Sequence, residues 1–470
     1  MNVLVICSDE HSFRCLGAAG HSVIQTPNLD ALAARGTRFD RAWAASPICV
    51  PTRASLATGR WVHQLAAWDS AQPYTGTVRG WAHVARDAGA HSVSIGKLHF
   101  RSSADDFGFT ESLLPLHVSG GLGWVQGLMR NPLPPYPEAA ELGAEAGVGS
   151  SSYTEYDQRI TDRTVEWLSE HAAEDRPFAA FVSLVAPHYP LTVEEEYFAP
   201  YGDLANDTPG IALDILPQAI THPAVEAMVD FFSYHKTMDA VTADLARRAY
   251  FGLCTWLDHN VGRILGALDE AGTTDDTLVI YTSDHGDLHG NRGLWGKSFM
   301  YEDSVRVPMI IAGPDVPVGR VVDTPVNQID IHPTVCAVMD PGHYDDGPGT
   351  SLLELLDGDT GRIGFSEYHD GGSITASFAV QVRMWKYIHH VGYDPELYDL
   401  EADPDELIDL GTSADHSAVR RECLDALHSI VDPDAANAAA FASQAALIDA
   451  LGGPSRLDDH RRFNHTPTPE

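Results

Sequence analysis

Two carboxylate-bearing pairs stand directly behind apolar, β-branched runs. Asp9-Glu10 follows Val3-Leu4-Val5-Ile6-Cys7, and Asp284-His285 follows Thr277-Leu278-Val279-Ile280-Tyr281-Thr282-Ser283. Carboxylates and an imidazole converging from two strand ends suit a divalent cation, with oxygen donors favouring Ca²⁺, Mg²⁺ or Mn²⁺. An Asp after a strand is as readily a helix cap, so either pair alone leaves both readings open. Further groups sit at similar places. Gly96-Lys97-Leu98-His99 ends one apolar run, Pro187-His188-Tyr189-Pro190 ends another, and Gly293-Leu294-Trp295-Gly296-Lys297 follows the Asp284-His285 pair. Lys97 and His99 are two apart, so an extended segment points both to one face. Most of the 23 histidines must be ordinary core or surface residues. The lysines say more, because the chain has only Lys97, Lys236, Lys297 and Lys386, and two of them fall in these loops. Cys49 precedes the helix-forming run Arg53-Ala54-Ser55-Leu56-Ala57, which places it at a helix N-terminus where free N–H groups favour an anion.

The elements that must position these groups alternate. Buried strands are expected at Val3–Cys7, Ser92–Ile95, Phe178–Val185, Thr277–Tyr281 and Val307–Ile311, and helices at Asp162–His171 and Asp239–Ala271. An early helix is expected between Thr26, as N-cap, and Gly36, with Pro27 at its first position; another runs from just after Cys49 to Gly59. This alternation implies an α/β fold: a doubly wound, mainly parallel central sheet, with ligands gathering beyond the carboxyl ends of its strands. Gly- and Pro-rich segments at Gly120–Gly149 and Phe198–Pro217 read as surface excursions. After residue 359 the texture changes: Arg383–His389 reads as a strand, Leu397–Leu400 with Asp403-Pro404 as a turn region, and Ser417–Val431 as a helix. Residues 1–359 are therefore expected to form the catalytic domain, and 360–470 a smaller C-terminal α+β subdomain.

The 470 residues are 44% hydrophobic and 20% charged, as in a globular protein able to bury a large core. The net charge of −36 argues against nucleic acid and anionic membranes as partners, and requires any site for an anion to make its own positive field. Six scattered cysteines form no CxxC pair, and the first residues carry no basic segment or cleavage site. A cytoplasmic protein with reduced thiols is expected.

The run Cys49-Val50-Pro51-Thr52-Arg53-Ala54-Ser55-Leu56-Ala57-Thr58-Gly59-Arg60 resembles the sulfatase signature, and further landmarks at Thr26-Pro27-Asn28-Leu29-Asp30 and Glu396-Leu397-Tyr398-Asp399-Leu400 extend the likeness over most of the chain. The sequence is similar to the formylglycine-dependent sulfatases of the alkaline-phosphatase superfamily. Gly96–Phe100 and Asp284–Trp295 look most like the choline-sulfatase branch. The resemblance implies hydrolysis of a small sulfate monoester. It implies that a maturation enzyme, the formylglycine-generating enzyme, oxidises Cys49, and that the hydrate of the resulting aldehyde attacks sulfur. It carries over Asp9, Asp284 and His285, with Cys49, as ligands of one divalent cation, Ca²⁺ in first place and Mn²⁺ or Mg²⁺ as alternatives, and Glu10 beside Asp9 is a further candidate ligand. Arg53, Lys97, His99, His188 and Lys297 carry over as the basic lining of the sulfate pocket, with His188 or Lys297 as the acid for the leaving alcohol and His99 as the base. Association into a homo-oligomer is a further expectation.

Two departures stand out. Asp9-Glu10 replaces the usual Asp-Asp, which makes Glu10 a candidate for a supporting position. Trp68-Asp69-Ser70 stands where Asp-Asn is usual, and Ser70 can replace only part of that hydrogen bonding. Thr52 in place of Ser matters little. Rival readings are a phosphonate monoester or phosphodiester hydrolase on the same scaffold and a non-catalytic sulfate-ester binder with unmodified Cys49. The alcohol is expected to meet the surface excursions and the C-terminal subdomain, with Glu367, Tyr368 and His369 as candidate contacts.

Overall fold

The computed structural model describes residues 1–202, 222–343, 345–358, 361–460 and 465–469. Strand β1 (Asn2–Asp9) is buried on both faces from Val3 onward. Alternate residues point to opposite sides of a strand, and here Leu4 and Ile6 join one hydrophobic cluster while Val3, Val5 and Cys7 join another. The first cluster takes residues from helices α4 (Ser152–His171) and α5 (Ala240–Glu270). The second draws on α2 (Cys49–Thr58), α3 (Trp81–Asp87) and α6 (Ile331–Met339). The result is a three-layer, doubly wound arrangement, and each fully buried Val, Leu or Ile contributes roughly 1.5–3 kcal/mol.

The remaining strands of this nine-stranded sheet are β2 (Thr37–Trp43), β3 (His91–Lys97), β4 (Glu111–Leu116), β6 (Phe178–Pro187), β8 (Thr277–Ser283), β9 (Arg306–Val307), β10 (Met309–Ala312) and β11 (Arg320–Asn327), the short β5 (Gly147–Val148) and β7 (Thr192–Val193) pairing separately. The order is β11-β2-β10-β8-β1-β6-β3-β4, with β9 paired to β2. Strands β8, β1, β6, β3 and β4 are parallel neighbours, so four strand ends that carry candidate groups lie side by side. The expected single strand Val307–Ile311 is divided at Pro308, which has no N–H for a ladder, and its main part, β10, runs antiparallel to both β2 and β8.

Helix α2 occupies the expected span, and Gly59 closes it in a left-handed conformation at φ 67°. Helix α1 (Pro27–Ala34) begins as expected, but the Thr26 hydroxyl bonds Asp30 rather than capping the helix, and Arg35, not Gly36, is the C-cap. Helix α4 starts ten residues before the expected Asp162, capped by Ser151. The Gly120–Gly149 segment is only partly a surface excursion, since Val125 and Leu128 are buried. The expected excursion Phe198–Pro217 lies, from residue 203 onward, outside the described residues.

A separate antiparallel sheet follows in the C-terminal part: β12 (Gly364–Tyr368), β13 (Ser377–Val382), β14 (Trp385–His390) and β15 (Glu396–Asp399). Here β14 starts two residues later than expected because Arg383, at φ 55°, forms the hairpin turn. Leu397–Asp399, expected as a turn, is strand, and its inward Leu397 joins the cluster of Phe365, Phe378, Val380 and Tyr387. Helix α7 (Ser417–Ile430) covers this sheet and α8 (Pro433–Ala450) follows it. Trp61, Val62 and Trp68 pack into the same cluster, joining the second sheet to the chain just beyond α2. Among the described residues no helix is long and apolar enough to cross a membrane.

Candidate active site

The carboxyl edge of β8, β1, β6 and β3 brings together the candidate metal ligands and the candidate basic residues. Asp9 and Asp284 end neighbouring parallel strands, and the Asp284 backbone N–H donates to Ser8 O, so the two carboxylates enter the same space. Asp284 Oδ1 accepts from the N–H groups of Glu10 (3.1 Å) and His285 (2.9 Å). His285 Nδ1 donates to Gly286 O at 3.0 Å, which leaves Nε2 as a bare lone pair. That nitrogen lies 3.6 Å from both Asp9 Oδ1 and Asp284 Oδ1, and 3.1 Å from Cys49 Sγ. One ligand atom from each of Asp9, Cys49, Asp284 and His285 lies within 4.8 Å of the others, and all four residues are buried. Two carboxylates and a bare imidazole nitrogen facing one another, with the Cys49 thiol as the donor set among them, fit a bound cation, and the Nδ1 hydrogen bond fixes the tautomer such a histidine needs. Burial lowers the His285 pKa, which keeps the ring neutral for that role.

Glu10 takes a different position. It sits at φ 70°, and its carboxylate turns toward Lys297 Nζ (3.0 Å) and His188 Nε2 (3.5 Å), outside the set of four. The cations beneath the site are tied to its carboxylates. Arg53, on α2, donates from Nε to Asp284 Oδ2 at 2.7 Å, and from Nη1 to Lys97 O (2.8 Å) and Ser183 Oγ (2.9 Å). The Lys97 ammonium pairs with Asp9. Although burial works the other way, Lys97 above all, with Lys297 and Arg53, holds the Asp9 carboxyl well below the usual range. Gly96 makes room for this approach: its φ is 101°, and a Cβ there would stand 2.3 Å from Ser183 O.

Above this floor opens a cavity of about 100 Å³. Cys49, His99, His188 and Lys297 line it, with six aromatic side chains: Trp124, Tyr136, Tyr153, Tyr189, Phe232 and Tyr234. Arg53 and Lys97, expected in the lining, lie under it instead, their donors taken up by Asp284, Ser183, Asp9 and backbone. Both His99 ring nitrogens are buried without a partner, and burial, then Lys97 and Arg53, push its pKa well down. His188 Nδ1 donates to Tyr189 O at 2.6 Å, so the neutral ring presents the Nε2 lone pair; burial and Lys297 keep it neutral. Burial opposes charge on Lys297, but the carboxylates of Glu10, Asp9 and Asp284 hold its pKa well above the usual value. Burial, with Asp9 beside it, pushes the Cys49 thiol up to about 12.

Ser70 reaches the cavity rim, yet its hydroxyl donates to Asp370 Oδ2 at 2.5 Å. Glu367, Tyr368 and His369 do not line the cavity: Glu367 bonds His63 and His369 at 2.9 Å each, and Tyr368 OH donates to Gly371 O. Two contributors had no sequence signal. Gln328 accepts from Thr52 Oγ1 at 2.7 Å and donates to Asp284 O at 2.6 Å, joining α2 to the end of β8. His465 and Thr466 form part of the cavity wall, with Tyr153 OH donating to Thr466 O at 2.8 Å.

A family profile described as "Sulfatase" matches residues 1–341. The chain belongs to the sulfatase family. A second profile, "N-sulphoglucosamine sulphohydrolase, C-terminal", matches residues 290–432. The chain is 31% identical over 431 residues to a choline-sulfatase of Rhizobium meliloti, covering 87% of this chain and 82% of that one. It is 27% identical over 433 residues to arylsulfatase K of Danio rerio, covering 86% and 79%. Among solved structures, the phosphonate monoester hydrolase of Agrobacterium radiobacter superposes with a TM-score of 0.72 at 26% identity, over 91% of this chain and 95% of that one. This sulfatase therefore has the alkaline-phosphatase-like fold expected from its sequence, with the antiparallel sheet in its C-terminal part.

Proposed function

We propose that this sulfatase hydrolyses a small sulfate monoester, with Cys49 carried as formylglycine in the mature protein. The observation that supports this most directly is the position of Cys49. It occupies the first helical residue of α2, faces the cavity, and has Sγ 3.1 Å from His285 Nε2 and 3.6 Å from Asp9 Oδ1. Asp9, Asp284 and His285, with residue 49, would hold one divalent cation, whose charge offsets that of the sulfate oxygens while the formylglycine hydrate supplies the oxygen nucleophile. Carboxylate-rich ligation favours Ca²⁺, with Mg²⁺ or Mn²⁺ as alternatives.

The other residues divide the remaining work. Lys297 keeps its proton, lies on the cavity wall, and is the acid that protonates the leaving oxygen; His188 cannot donate from Nε2 while neutral, because its ring proton is on Nδ1. His99, neutral and with both nitrogens free, accepts the proton that must leave when residue 49 is regenerated. Arg53 and Lys97 hold Asp284 and Asp9 in place from beneath, and their positive charge lowers the energy of the sulfate anion. Glu10 keeps Lys297 oriented.

For the alcohol half, six aromatic rings in the lining fit a quaternary ammonium group bound over ring faces. Together with the choline-sulfatase relative, this favours choline sulfate. The likeness to a phosphonate monoester hydrolase supports a second reading, weaker because Lys97 and His99 fit the sulfatase pattern. Rates on choline sulfate, an aryl sulfate and an aryl phosphonate monoester decide the order: choline sulfate is expected first, and a preference for the phosphonate ester would overturn the proposal. Mass spectrometry of the Cys49 peptide is expected to show H₂S replaced by O. An unmodified thiol in protein from its native host would leave the binder reading standing.

A further inference from the structure

Away from the catalytic edge, α6 and the loop after it carry a second group of ligand-type side chains. His332 and Cys336 are four apart on the helix and share one face. His343 comes from the following loop, and one ligand atom from each of the three lies within 4.8 Å of the others. His332 Nδ1 donates to Ala57 O at 3.1 Å, leaving Nε2 free, and Nε2 faces Asp345 Oδ2 at 3.4 Å. That carboxylate oxygen is buried without a hydrogen-bond donor. A neutral imidazole and a carboxylate facing each other in this way repel unless a proton or a cation lies between them, and Cys336 and His343 approach the same histidine, with Asp345 beside their set of three rather than within it.

We propose that His332, Cys336 and His343 form a second metal site that takes a zinc-class cation, with Asp345, which already faces His332, drawn in as its fourth ligand. One thiolate, two imidazoles and one carboxylate are the donors of a closed tetrahedral zinc site, whereas calcium and magnesium require oxygen. The thiolate and the carboxylate neutralise a dication. On binding, the Cys336 S–H bond breaks, its proton passes to solvent and the sulfur–metal bond forms, with no change of oxidation state. A tetrahedral zinc ion draws its ligand atoms to roughly 3.5 Å from one another, so those of His332, Cys336 and His343, already within 4.8 Å, have only a short way to close. The site is structural. His332 holds the last turn of α2 through Ala57 O and packs on Gly59, where an added Cβ would stand 2.9 Å from His332 Cβ. A metal there would tie the far end of the Cys49 helix to α6 and its loop.

Zinc per chain, measured by plasma mass spectrometry after equilibration with Zn²⁺ and gel filtration, tests the proposal. Wild type is expected to hold about one equivalent more than either Cys336→Ala or His343→Ala, with hydrolytic rates unchanged in both variants. His343 is exposed, so its replacement leaves the fold intact even if loss of the Cys336 side chain disturbs packing. Zinc is expected to raise the Tm of wild type and not that of His343→Ala. In cobalt-loaded protein, a thiolate-to-cobalt absorption band is expected to survive Cys49→Ala and to vanish in Cys336→Ala. Equal zinc content in wild type and both variants, or a cobalt band that persists in Cys336→Ala, would overturn the site and leave His332 and Asp345 as an ordinary ion pair.

Discussion

At the carboxyl edge of the central sheet, buried charge faces a cavity; in the C-terminal sheet, buried charge faces its partners. Lys297 lines the cavity, and His99 beside it has no hydrogen bond at either nitrogen. Lys386, on β14, is fully buried between Glu302 Oε1 (3.0 Å) and Glu406 Oε1 (2.6 Å). In the same sheet His390 bonds Ser377 Oγ and Glu396 Oε1, and Glu367 bonds His63 and His369. A buried polar group without a partner costs stability. Such groups at the strand ends are those a bound ligand would complete, whereas Lys386, His390, Glu367 and Glu396 already have partners that hold the second layer in place. Residue type does not separate the two regions; the direction in which each charge faces does.

The largest test of this contrast is Cys49→Ala. It is expected to lower kcat/KM for a sulfate ester by at least ~10⁴-fold, as loss of a nucleophile does, while the thermal unfolding curve stays in place because a small apolar side chain fits the same position. A large drop in Tm would mean that residue 49 belongs with the structural groups. Lys386→Met is the opposite probe. Removing the lysine leaves the buried Glu302 and Glu406 carboxylates with the more distant Arg306 (3.5 Å) and Arg292 (3.7 Å) as their cations, a loss of up to about 3–5 kcal/mol, readable as a fall in the denaturant midpoint. Turnover per folded molecule is expected to hold. Unchanged stability with lost activity would erase the distinction.

The catalytic edge was legible because its groups follow apolar, β-branched runs, so that strand ends could be read from composition and their order inferred from the parallel alternation. The C-terminal network was not, since Lys386 meets Glu302 across 84 positions and no local pattern records such a pair. Gln328 escaped for the same reason: a single amide carries no motif, and its role exists only where β11 delivers it beneath α2. The antiparallel direction of β10 is likewise absent from its four apolar residues. Helix α4 was entered late because its first ten residues carry buried Thr154 and Asp157, which break the apolar stripe; Asp157 is inside because it accepts the Val185 and Ala186 N–H groups at the end of β6. Helix α8, rich in alanine, offered no contrast between faces. In each of these, tertiary hydrogen bonding or burial, not local propensity, decided the outcome.

Acid sharpens the comparison further. Burial alone would raise the Glu367 pKa, but His63, with His369, brings it down to about 2. A carboxyl depressed on folding stabilises the native state above its unfolded value near 4.5, and that contribution disappears as pH falls toward 2. The full effect is about 3 kcal/mol. Glu367→Gln is therefore expected to lower stability at neutral pH and to flatten its decline between about pH 4.5 and 2, measured by denaturant titration at several pH values. A slope equal to that of wild type would show that the pair does not distinguish folded from unfolded chain.

His99→Asn, the smallest effect, asks most of the contrast, since it changes a buried group with no hydrogen bond to lose. His99 sits at φ 53°, a conformation asparagine accepts more readily than most residues. Because neither ring nitrogen has a partner, shortening the side chain strands nothing, and stability is expected to stay within about 1 kcal/mol of wild type. Loss of a proton acceptor, by contrast, typically lowers rate by ~10²-fold or more, and here it is expected in kcat rather than KM. The same exchange at His390 strips Glu396 and Ser377 of a shared partner, so it is expected to cost about 1–3 kcal/mol and leave kcat untouched. If the two substitutions gave the same profile, facing a cavity and facing a partner would be one condition, and the unpartnered histidine would have no claim to the chemistry.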